Sequence, residues 1–284
     1  MIISIASGKG GTGKTTVAVN LALSIHNAQF IDADVEEPNA HIFLNPKISS
    51  QKKGYIPVPR IDESKCDYCG KCAKVCVYNA IAVLPGKDKK DKGKVLVFDQ
   101  LCHGCGACSA LCPKGAIYEE DREIGVVEKG ESNGMEFIHG RLNIGEAMSP
   151  PLIRKVKSFI NDKKNVIIDA PPGTSCPVVA SLKKSDYAIL VTEPTPFGLN
   201  DLILAVEVLR KMQIPFGAVI NRSDLGNKET EEYCLKESIP VLMRIPFNRD
   251  IAVAYSKGIP LVDAFPAYKK EFRELFDKIT QCKS

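Results

Sequence analysis

A glycine-rich segment near the N-terminus constrains the fold of this 284-residue chain more than any other feature. Residues 8–16, GKGGTGKTT, satisfy the phosphate-loop pattern G-x-x-x-x-G-K-[ST]. An apolar run at residues 2–6 precedes them, and helical periodicity through Val17, Leu21 and Ile25 follows. An ordinary glycine-rich turn, the alternative, requires neither flanking element. The order strand, glycine loop, helix therefore predicts a phosphate-binding loop that opens a β-α-β unit.

The residue types of this loop suit a nucleotide and its metal. Glycines let backbone N–H groups turn toward phosphate, and the helix N-terminus adds its dipole. Lys14 is expected to neutralise β- and γ-phosphate oxygens, and the Thr15 hydroxyl to bind Mg²⁺. The predicted nucleotide contacts in the loop are Gly10, Gly11, Thr12, Gly13, Lys14, Thr15 and Thr16.

The rest of the chain alternates between strands and helices, except for one region. Strand patterns cover 166–169, 187–192, 216–221 and 241–245, and helical patterns lie near 199–212, 228–237, 250–257 and 268–279. This alternation predicts an α/β fold with a doubly wound, mostly parallel sheet. Residues 56–120 lack long helical periodicity and are rich in Cys, Lys, Gly and Pro. We therefore predict a small α+β insert at 56–120 between the two parts of the α/β domain, 1–55 and 121–284.

Eight of the eleven cysteines form two runs of identical C-x2-C-x2-C-x3-C spacing. The first run is Cys66, Cys69, Cys72 and Cys76, and the second is Cys102, Cys105, Cys108 and Cys112. Ala80-Ile81 and Ala116-Ile117 recur at the same offset, which indicates an internal duplication. C-x2-C pairs also bind zinc, but four cysteines at this spacing, present twice, favour [4Fe-4S] clusters.

The duplication resembles the two-cluster bacterial ferredoxins, in which the fourth cysteine of each run binds the other cluster. The resemblance implies one cluster on Cys66, Cys69, Cys72 and Cys112, and a second on Cys102, Cys105, Cys108 and Cys76. Val77 stands where the ferredoxin pattern has proline, and the connection between the runs is longer than in the smallest such ferredoxins. Within this connection, residues 87–94 are predicted to be a solvated hairpin end, with a docking patch for an acidic redox partner as the alternative.

The segment KGGTGKT, residues 9–15, resembles the deviant Walker A motif of the MinD/Mrp/ParA ATPases, which include the nitrogenase iron protein. The likeness extends over the chain outside the insert and implies an ATPase that uses ATP and Mg²⁺. In that family the lysine matching Lys9 reaches the nucleotide of the partner subunit. The resemblance therefore implies an ATP-dependent homodimer, whereas the alternative is a solvated surface lysine.

Three aspartates follow predicted strands and match the switch segments of the same family. The resemblance implies that Asp34 orients the attacking water, and that Asp32 and Asp169 hold Mg²⁺ through waters. Taken alone, each could be a helix cap or a strand-end residue. The expected catalytic residues are Lys9, Lys14, Asp34 and Asp169, and the expected Mg²⁺ ligands are Thr15, Asp32 and Asp169.

Asn221 opens the sequence Asn-Arg-Ser-Asp at residues 221–224, directly after a predicted strand. The sequence is similar to the GTPase N-K-x-D motif and leaves the choice of nucleotide base open. The family resemblance favours adenine at Asn221.

Several further cysteines and histidines lie outside the two cysteine patterns. Cys176 follows the second switch segment and is expected either to bridge a cluster between subunits or to be a buried structural thiol. Cys234 and Cys282 lie on helical patterns and are expected to be structural or incidental. His103 lies within the second cysteine run and is not expected to be a ligand, because four cysteines suffice. His139 has no partner that the sequence identifies.

Composition limits the cellular setting and the partners. A formal net charge of +4 gives no support for a nucleic-acid-binding surface. The sequence has no export signal and no apolar run of the roughly 18 residues that a membrane span needs. We therefore expect a cytoplasmic protein without a membrane span, in which thiols stay reduced.

These features lead to three functional hypotheses. The favoured one is an ATPase that couples MgATP hydrolysis to the redox chemistry of its clusters, in metallocofactor or iron-sulfur maturation, with a redox partner or a client metalloprotein. An alternative is a cluster carrier or scaffold of the Mrp type, in which the ferredoxin clusters have a supporting role. Spatial positioning of cargo, as MinD and ParA perform it, ranks last because it leaves the clusters without a role.

Overall fold

The computed structural model describes residues 1–84, 86 and 93–281. Residues 87–92 of the lysine-rich run and Cys282 lie outside the described residues. The chain divides into two compact units. The first contains residues 1–52, 127–141 and 153–284, and the second contains residues 53–126 and 142–152. All eight cysteines of the two runs belong to the second unit.

The described residues form eleven strands and eleven α-helices. The strands are β1 Ile2–Ala6, β2 Ala28–Asp32, β3 Lys47–Ile61, β4 Ile81–Leu84, β5 Lys94–Val97, β6 Ile117–Ser132, β7 Met135–Leu142, β8 Asn165–Asp169, β9 Tyr187–Thr192, β10 Phe216–Asn221 and β11 Val241–Ile245. The helices are α1 Lys14–Ser24, α2 Ala40–Leu44, α3 Lys71–Val75, α4 Ala107–Ala110, α5 Pro150–Lys157, α6 Cys176–Leu182, α7 Pro196–Met212, α8 Glu229–Lys236, α9 Arg249–Ser256, α10 Leu261–Ala264 and α11 Ala267–Gln281.

The first unit contains most of a nine-stranded sheet in which the strand order is β11-β10-β9-β1-β8-β2-β7-β6-β3, and strands β6 and β3 continue into the second unit. The pairs β1–β8, β1–β9, β2–β8, β2–β7, β9–β10 and β10–β11 are all parallel. Sheet order reverses around β1, and the phosphate loop follows that strand. The predicted mostly parallel α/β fold is confirmed, with the loop at the edge where such sheets bind ligands.

Two apolar layers cover the faces of this sheet. One buries residues of α1, α10 and α11 against β1, β2 and β11, with Leu21, Phe272 and Leu275 almost fully buried. The other buries residues of α6, α7 and α8 on the opposite face, including Leu202 and Leu209 of α7. These six helices therefore bury apolar side chains against the two faces of the sheet, as a doubly wound fold requires.

Two parts of the first unit differ from the sequence expectation. Helix α7 begins at Pro196, three residues before the predicted start at 199, because the Thr195 hydroxyl accepts a hydrogen bond from Gly198 N at 3.0 Å and caps the helix. Strands β6 and β7 form a hairpin that the sequence analysis did not predict. Its two-residue turn, Asn133-Gly134, has positive φ at both positions, the signature of a type I′ turn.

The second unit contains residues 53–61 of β3, residues 117–126 of β6, short helices and the two-stranded antiparallel sheet β4–β5. Arg60 links three segments of this unit. It pairs with both carboxylate oxygens of Asp99, at 2.8 and 2.9 Å, and with Glu120 at 3.0 Å. The bidentate geometry fixes the start of the second cysteine run relative to β3 and β6.

Candidate nucleotide site and cysteine sites

The phosphate loop is shaped by a close approach between Gly13 and Asn221. Gly13 has φ of 92°, and a Cβ there would lie 2.5 Å from Asn221 Nδ2. That amide donates a hydrogen bond to the Thr12 carbonyl oxygen at 2.9 Å, and Asn221 Oδ1 accepts one from Arg222 N at 3.0 Å. Asn221 therefore lies beside the phosphate loop. Its amide group is hydrogen-bonded to that loop and to the backbone of the next residue, Arg222.

The carboxyl ends of β1, β2 and β8 bring the predicted magnesium ligands together. Asp32 and Asp169 are register partners on adjacent strands, and Thr15 Oγ1 donates to Asp169 Oδ2 at 2.6 Å. Asp169 Oδ1 is buried and has no hydrogen-bond partner among the described residues. A hydroxyl and a carboxylate oxygen without a partner are donors that Mg²⁺ accepts, so the residues present fit this ion.

Burial controls the protonation of these carboxylates. It raises the pKa of Asp169 to about 6, against the opposing effects of Lys14 and of the Thr15 hydrogen bond. Burial, reinforced by the nearby charge of Asp169, also raises the pKa of Asp32 well above its ordinary value. Two buried carboxylates side by side disfavour a second negative charge, and a bound cation would relieve this repulsion.

Asp32 also organises the segment that follows β2. One of its oxygens accepts a hydrogen bond from Asp34 N at 3.1 Å, and the other accepts one from Ala40 N at 3.2 Å at the start of α2. Asp34 is thereby held near the loop. Burial raises its pKa to about 6, while the charge of Lys14 acts in the opposite direction.

A cavity beside the loop extends to residues that the sequence analysis did not single out. They follow the carboxyl end of β11 or belong to α9, and they are Pro246, Phe247, Asn248, Ile251, Ala252 and Tyr255. Asp224, which corresponds to the base-reading position of N-K-x-D, accepts a hydrogen bond from Phe247 N at 2.5 Å. The carboxylate of Asp224 therefore fixes the loop that carries Phe247.

Lys9 is close to a carboxylate of its own chain. Its Nζ lies 3.9 Å from Glu193 Oε2, and the other oxygen of Glu193 lies 2.9 Å from Arg222 Nη1. Glu193 is buried, while about a third of the Lys9 side chain is exposed. The Lys9 ammonium group thus lies near Glu193 and is only partly exposed to solvent.

The cysteines of the second unit surround two separate cavities, each lined by four of them. The first cavity takes three cysteines from the first run and one from the second, namely Cys66, Cys69, Cys72 and Cys112. The second takes the complementary set, Cys102, Cys105, Cys108 and Cys76. The fold thus exchanges the fourth cysteine between the two runs.

The duplication extends to backbone geometry and hydrogen bonding. The first cysteine of each run accepts an N–H bond from two residues later, Tyr68 or Gly104, at 3.4 Å in both runs. The fourth cysteine accepts one from four residues later, Ala80 at 3.2 Å or Ala116 at 3.3 Å. Tyr68 and Gly104 both have positive φ, as do Gly70 and Gly106. N–H bonds to sulfur stabilise thiolates and tune metal-sulfur centres.

Four thiols around a cavity form the donor set of a [4Fe-4S] cluster. Within residues 1–84, 86 and 93–281, no three His, Cys, Asp or Glu side chains form a group that could hold a metal ion. A cluster binds each thiolate through a different iron, so its ligands surround a volume and need not converge on one point. The residues present fit this group.

The cysteines and histidines outside the two cysteine sets differ in burial and in their neighbours. Cys176 is exposed at the start of α6, so the alternative of a buried structural thiol is wrong, whereas Cys234 is buried. His103 stacks on Tyr78 with ring centroids 3.4 Å apart, beside the second cavity. His139 is buried, and its Nε2 lies 2.7 Å from Glu128 Oε2. No helix among the described residues has the length and apolar character needed to cross a membrane.

Comparison with known proteins supports the fold and the loop. Residues 3–261 match the model of the CobQ/CobB/MinD/ParA nucleotide binding domain. An uncharacterized protein of Methanocaldococcus jannaschii is 31% identical over 266 residues, which cover 91% of this chain and 90% of that protein. An iron-sulfur cluster carrier protein of Pyrococcus horikoshii is 26% identical over 306 residues, covering 98% and 84%. The fold is similar to that of the septum site-determining protein MinD complexed with Mg-ADP from Pyrococcus horikoshii, with a TM-score of 0.60, 20% identity and coverage of 100% and 97%.

Proposed function

Because the chain belongs to the CobQ/CobB/MinD/ParA family of nucleotide-binding domains, we propose that it couples an MgATP cycle to the redox chemistry of two [4Fe-4S] clusters. The chain is a P-loop ATPase. The coupling, the clusters and a role in metallocofactor or iron-sulfur maturation are the proposal. Its main support is the presence in one chain of a phosphate loop and two cavities that are each lined by four cysteines.

At the nucleotide site we assign the chemistry to residues of three strand ends. Lys14 and the backbone of the phosphate loop would bind the phosphates, and Thr15 and Asp169 would hold Mg²⁺, which would neutralise phosphate charge when bound. Asp32 holds the backbone N–H groups of Asp34 and Ala40, so Asp34 is positioned to orient the attacking water. Positioning and electrostatics supply most of the catalysis in phosphoryl transfer.

We further propose that ATP joins two copies of the chain and that Lys9 then contacts the nucleotide of the partner subunit. Glu193 holds Lys9 at 3.9 Å within one chain, so this contact would have to be exchanged for phosphate when the dimer forms. Such an exchange would make dimerisation depend on nucleotide binding.

The two cysteine sets are assigned one cluster each, and these bound clusters supply one-electron chemistry. Clusters held by four cysteines and paired for internal transfer are permanent in ferredoxins, which favours electron transfer over delivery of these clusters to a client. Eight free thiols also require a reducing compartment, so we place the protein in the cytoplasm.

A cluster carrier or scaffold is the second candidate. The name of the Pyrococcus horikoshii relative, iron-sulfur cluster carrier protein, supports it. In this version the ATPase cycle controls the shape of a dimer and the release of a client, while the two cysteine sites have a supporting role. Positioning of cargo remains the least favoured candidate, since it gives the cysteine sites no role.

An anaerobic redox titration followed by electron paramagnetic resonance separates the first two candidates. Purified protein is titrated with and without a non-hydrolysable MgATP analogue, and Lys14→Ala protein is titrated alongside as the control. A nucleotide-dependent shift of about 59 mV or more, which is tenfold in a one-electron equilibrium, is expected if the two cycles are coupled. Full cluster signals with no shift would contradict coupling and favour the carrier.

A further inference from the structure

The two cysteine cavities have the same backbone construction but differ in the lysines around them. Aligning the runs on their cysteines pairs four lysines, which line the first cavity or lie in or next to its cysteine run in sequence, with four uncharged residues at the equivalent positions. Lys65 corresponds to Leu101, Lys71 to Ala107, Lys74 to Ala110, and Lys114 to Tyr78. The first four residues, Lys65, Lys71, Lys74 and Lys114, are called the lysine face below.

All four members of the lysine face are exposed. Lys71 and Lys74 lie three residues apart on α3 and therefore share one face of that helix. Lys71 and Lys114 also line the first cavity. The charge is thus next to the cysteine sulfurs.

Acidic residues offset this charge only in part. Lys65 pairs with Asp62 at 2.9 Å, and Lys114 lies 3.9 Å from Asp67. Within the described ranges, Lys71 and Lys74 form no ion pair. These two lysines remain available to an external carboxylate.

The second cavity presents a different surface. Leu101 and Tyr78 are exposed there, and Tyr78 stacks on His103. Glu119 lines this cavity and accepts a hydrogen bond from Ser109 Oγ at 2.8 Å. Because the two halves share spacing, turns and sulfur hydrogen bonds, the duplicated framework itself does not require the lysines at the first cavity.

We propose that the lysine face is the docking site of an acidic electron-carrier protein, an inference that rests on the proposed two-cluster function. Charge complementarity selects an acidic partner, because lysines steer an oppositely charged protein and set its orientation. Cys69 is exposed and lies between Lys65 and Lys71 in the sequence. A docked carrier would therefore approach a cysteine of the first cavity. The exchange moves one electron, oxidising one partner and reducing the other, and transfers no atom.

The test uses full-length protein loaded with its clusters anaerobically. Its probe is an oxidised plant-type [2Fe-2S] ferredoxin, which is acidic, and affinity is measured by titration calorimetry. Exposed surface charges act over about 8 Å at physiological salt, so titrations at about 20 and about 200 mM salt separate docking by charge from other binding. K71A/K74A is the test variant, since alanine already occupies the equivalent positions of the second run.

A matched control removes two lysines elsewhere. K211A/K236A takes exposed lysines from α7 and α8 and changes net charge by the same amount. We expect K71A/K74A to bind about tenfold more weakly at low salt, and K211A/K236A to bind as the wild type does. Charge reversal at a single site, K74E, should weaken binding further than K74A does.

The outcomes that overturn the proposal differ from those that overturn the function. Equal losses of affinity in both double variants would mean that only net charge matters. Failure of the wild-type protein to bind the ferredoxin would contradict the proposed docking site. In both cases normal iron content and cluster spectra would leave the proposed function intact. Purified protein without [4Fe-4S] spectra would instead overturn the proposed function and the docking site together.

Discussion

The hydroxyl of Thr15 donates a 2.6 Å hydrogen bond to Asp169, which lies 154 residues further along the chain. The second oxygen of Asp169 has no hydrogen-bond partner in the part of the chain that the structure describes. Two of the three predicted magnesium ligands thus already lie side by side, because β1 pairs with β8.

Lys14→Ala should separate the two modules biochemically. The substitution removes the charge that binds phosphate, so ATP hydrolysis should fall at least ~100-fold. Iron content should not change, because all eight cysteines of the runs belong to the other unit. Hydrolysis is measured by phosphate release and iron by a colorimetric assay, with exposed Lys236→Ala as the control. Loss of iron in Lys14→Ala would show that the modules depend on each other.

Asp34→Asn should stabilise the nucleotide-free protein at alkaline pH. The pKa of Asp34 is raised to about 6 from an ordinary 3.8, so the folded chain binds this proton more tightly than the unfolded chain. The stabilisation from proton binding is complete below about 3.8 and is lost as the pH rises through about 6. Asparagine carries no charge and avoids this loss.

We therefore expect Asp34→Asn to melt a few degrees above wild type at pH 8 and the difference to shrink toward pH 5. Anaerobic thermal melts in the presence of a chelator measure this, and the exposed Asp162→Asn variant is the control. A pH-independent difference would show that Asp34 carries no buried charge.

Mixing two inactive variants tests whether Lys9 acts across a dimer. Lys9→Ala lacks the lysine but keeps Asp34, and Asp34→Asn lacks the carboxylate but keeps Lys9. Each alone should hydrolyse ATP near background. Random dimers of an equal mixture contain one competent site in half of the molecules, so about one quarter of the wild-type rate should return. Lys9→Ala protein that is fully active alone, or a mixture that stays inactive, would contradict a role of Lys9 at the nucleotide of the partner subunit.

Paired cysteine variants test the exchange of the fourth ligand between the runs. Cys66→Ser/Cys112→Ser alters two residues of one cavity, so about half of the iron should remain. Cys66→Ser/Cys76→Ser alters one residue in each cavity and should lose most of the iron. Both proteins lack two cysteines, so iron per chain compares them directly. The opposite ranking would show that each run binds its own cluster.

Three further strands of the parallel sheet could be predicted from sequence almost to the residue. The patterns at 187–192, 216–221 and 241–245 coincide with β9, β10 and β11, because buried parallel strands are continuous apolar runs bounded by polar residues. The hairpin of β6 and β7 was missed although Asn133-Gly134 is its usual turn signal. The hairpin could therefore have been predicted from this turn.

Other parts of the site depend on tertiary packing that no local pattern encodes. Phe247 and Tyr255 reach the nucleotide cavity because the chain after β11 returns toward the phosphate loop. Glu193 meets Lys9 only because β9 lies beside β1 in the sheet. Contacts between residues this far apart follow from strand order, which the sequence alone leaves open.

The path of the chain between the two units limits how the molecule can be dissected. The backbone passes between them four times, after residues 52, 126, 141 and 152. Residues 142–152 belong with the earlier segment, since Arg122 forms an ion pair with Glu146 at 2.5 Å and Asn143 N donates to the Ile124 carbonyl. A single protease cut in one crossing would leave the two units tethered by the other three. A cysteine module expressed alone would therefore need both segments, joined by a new linker.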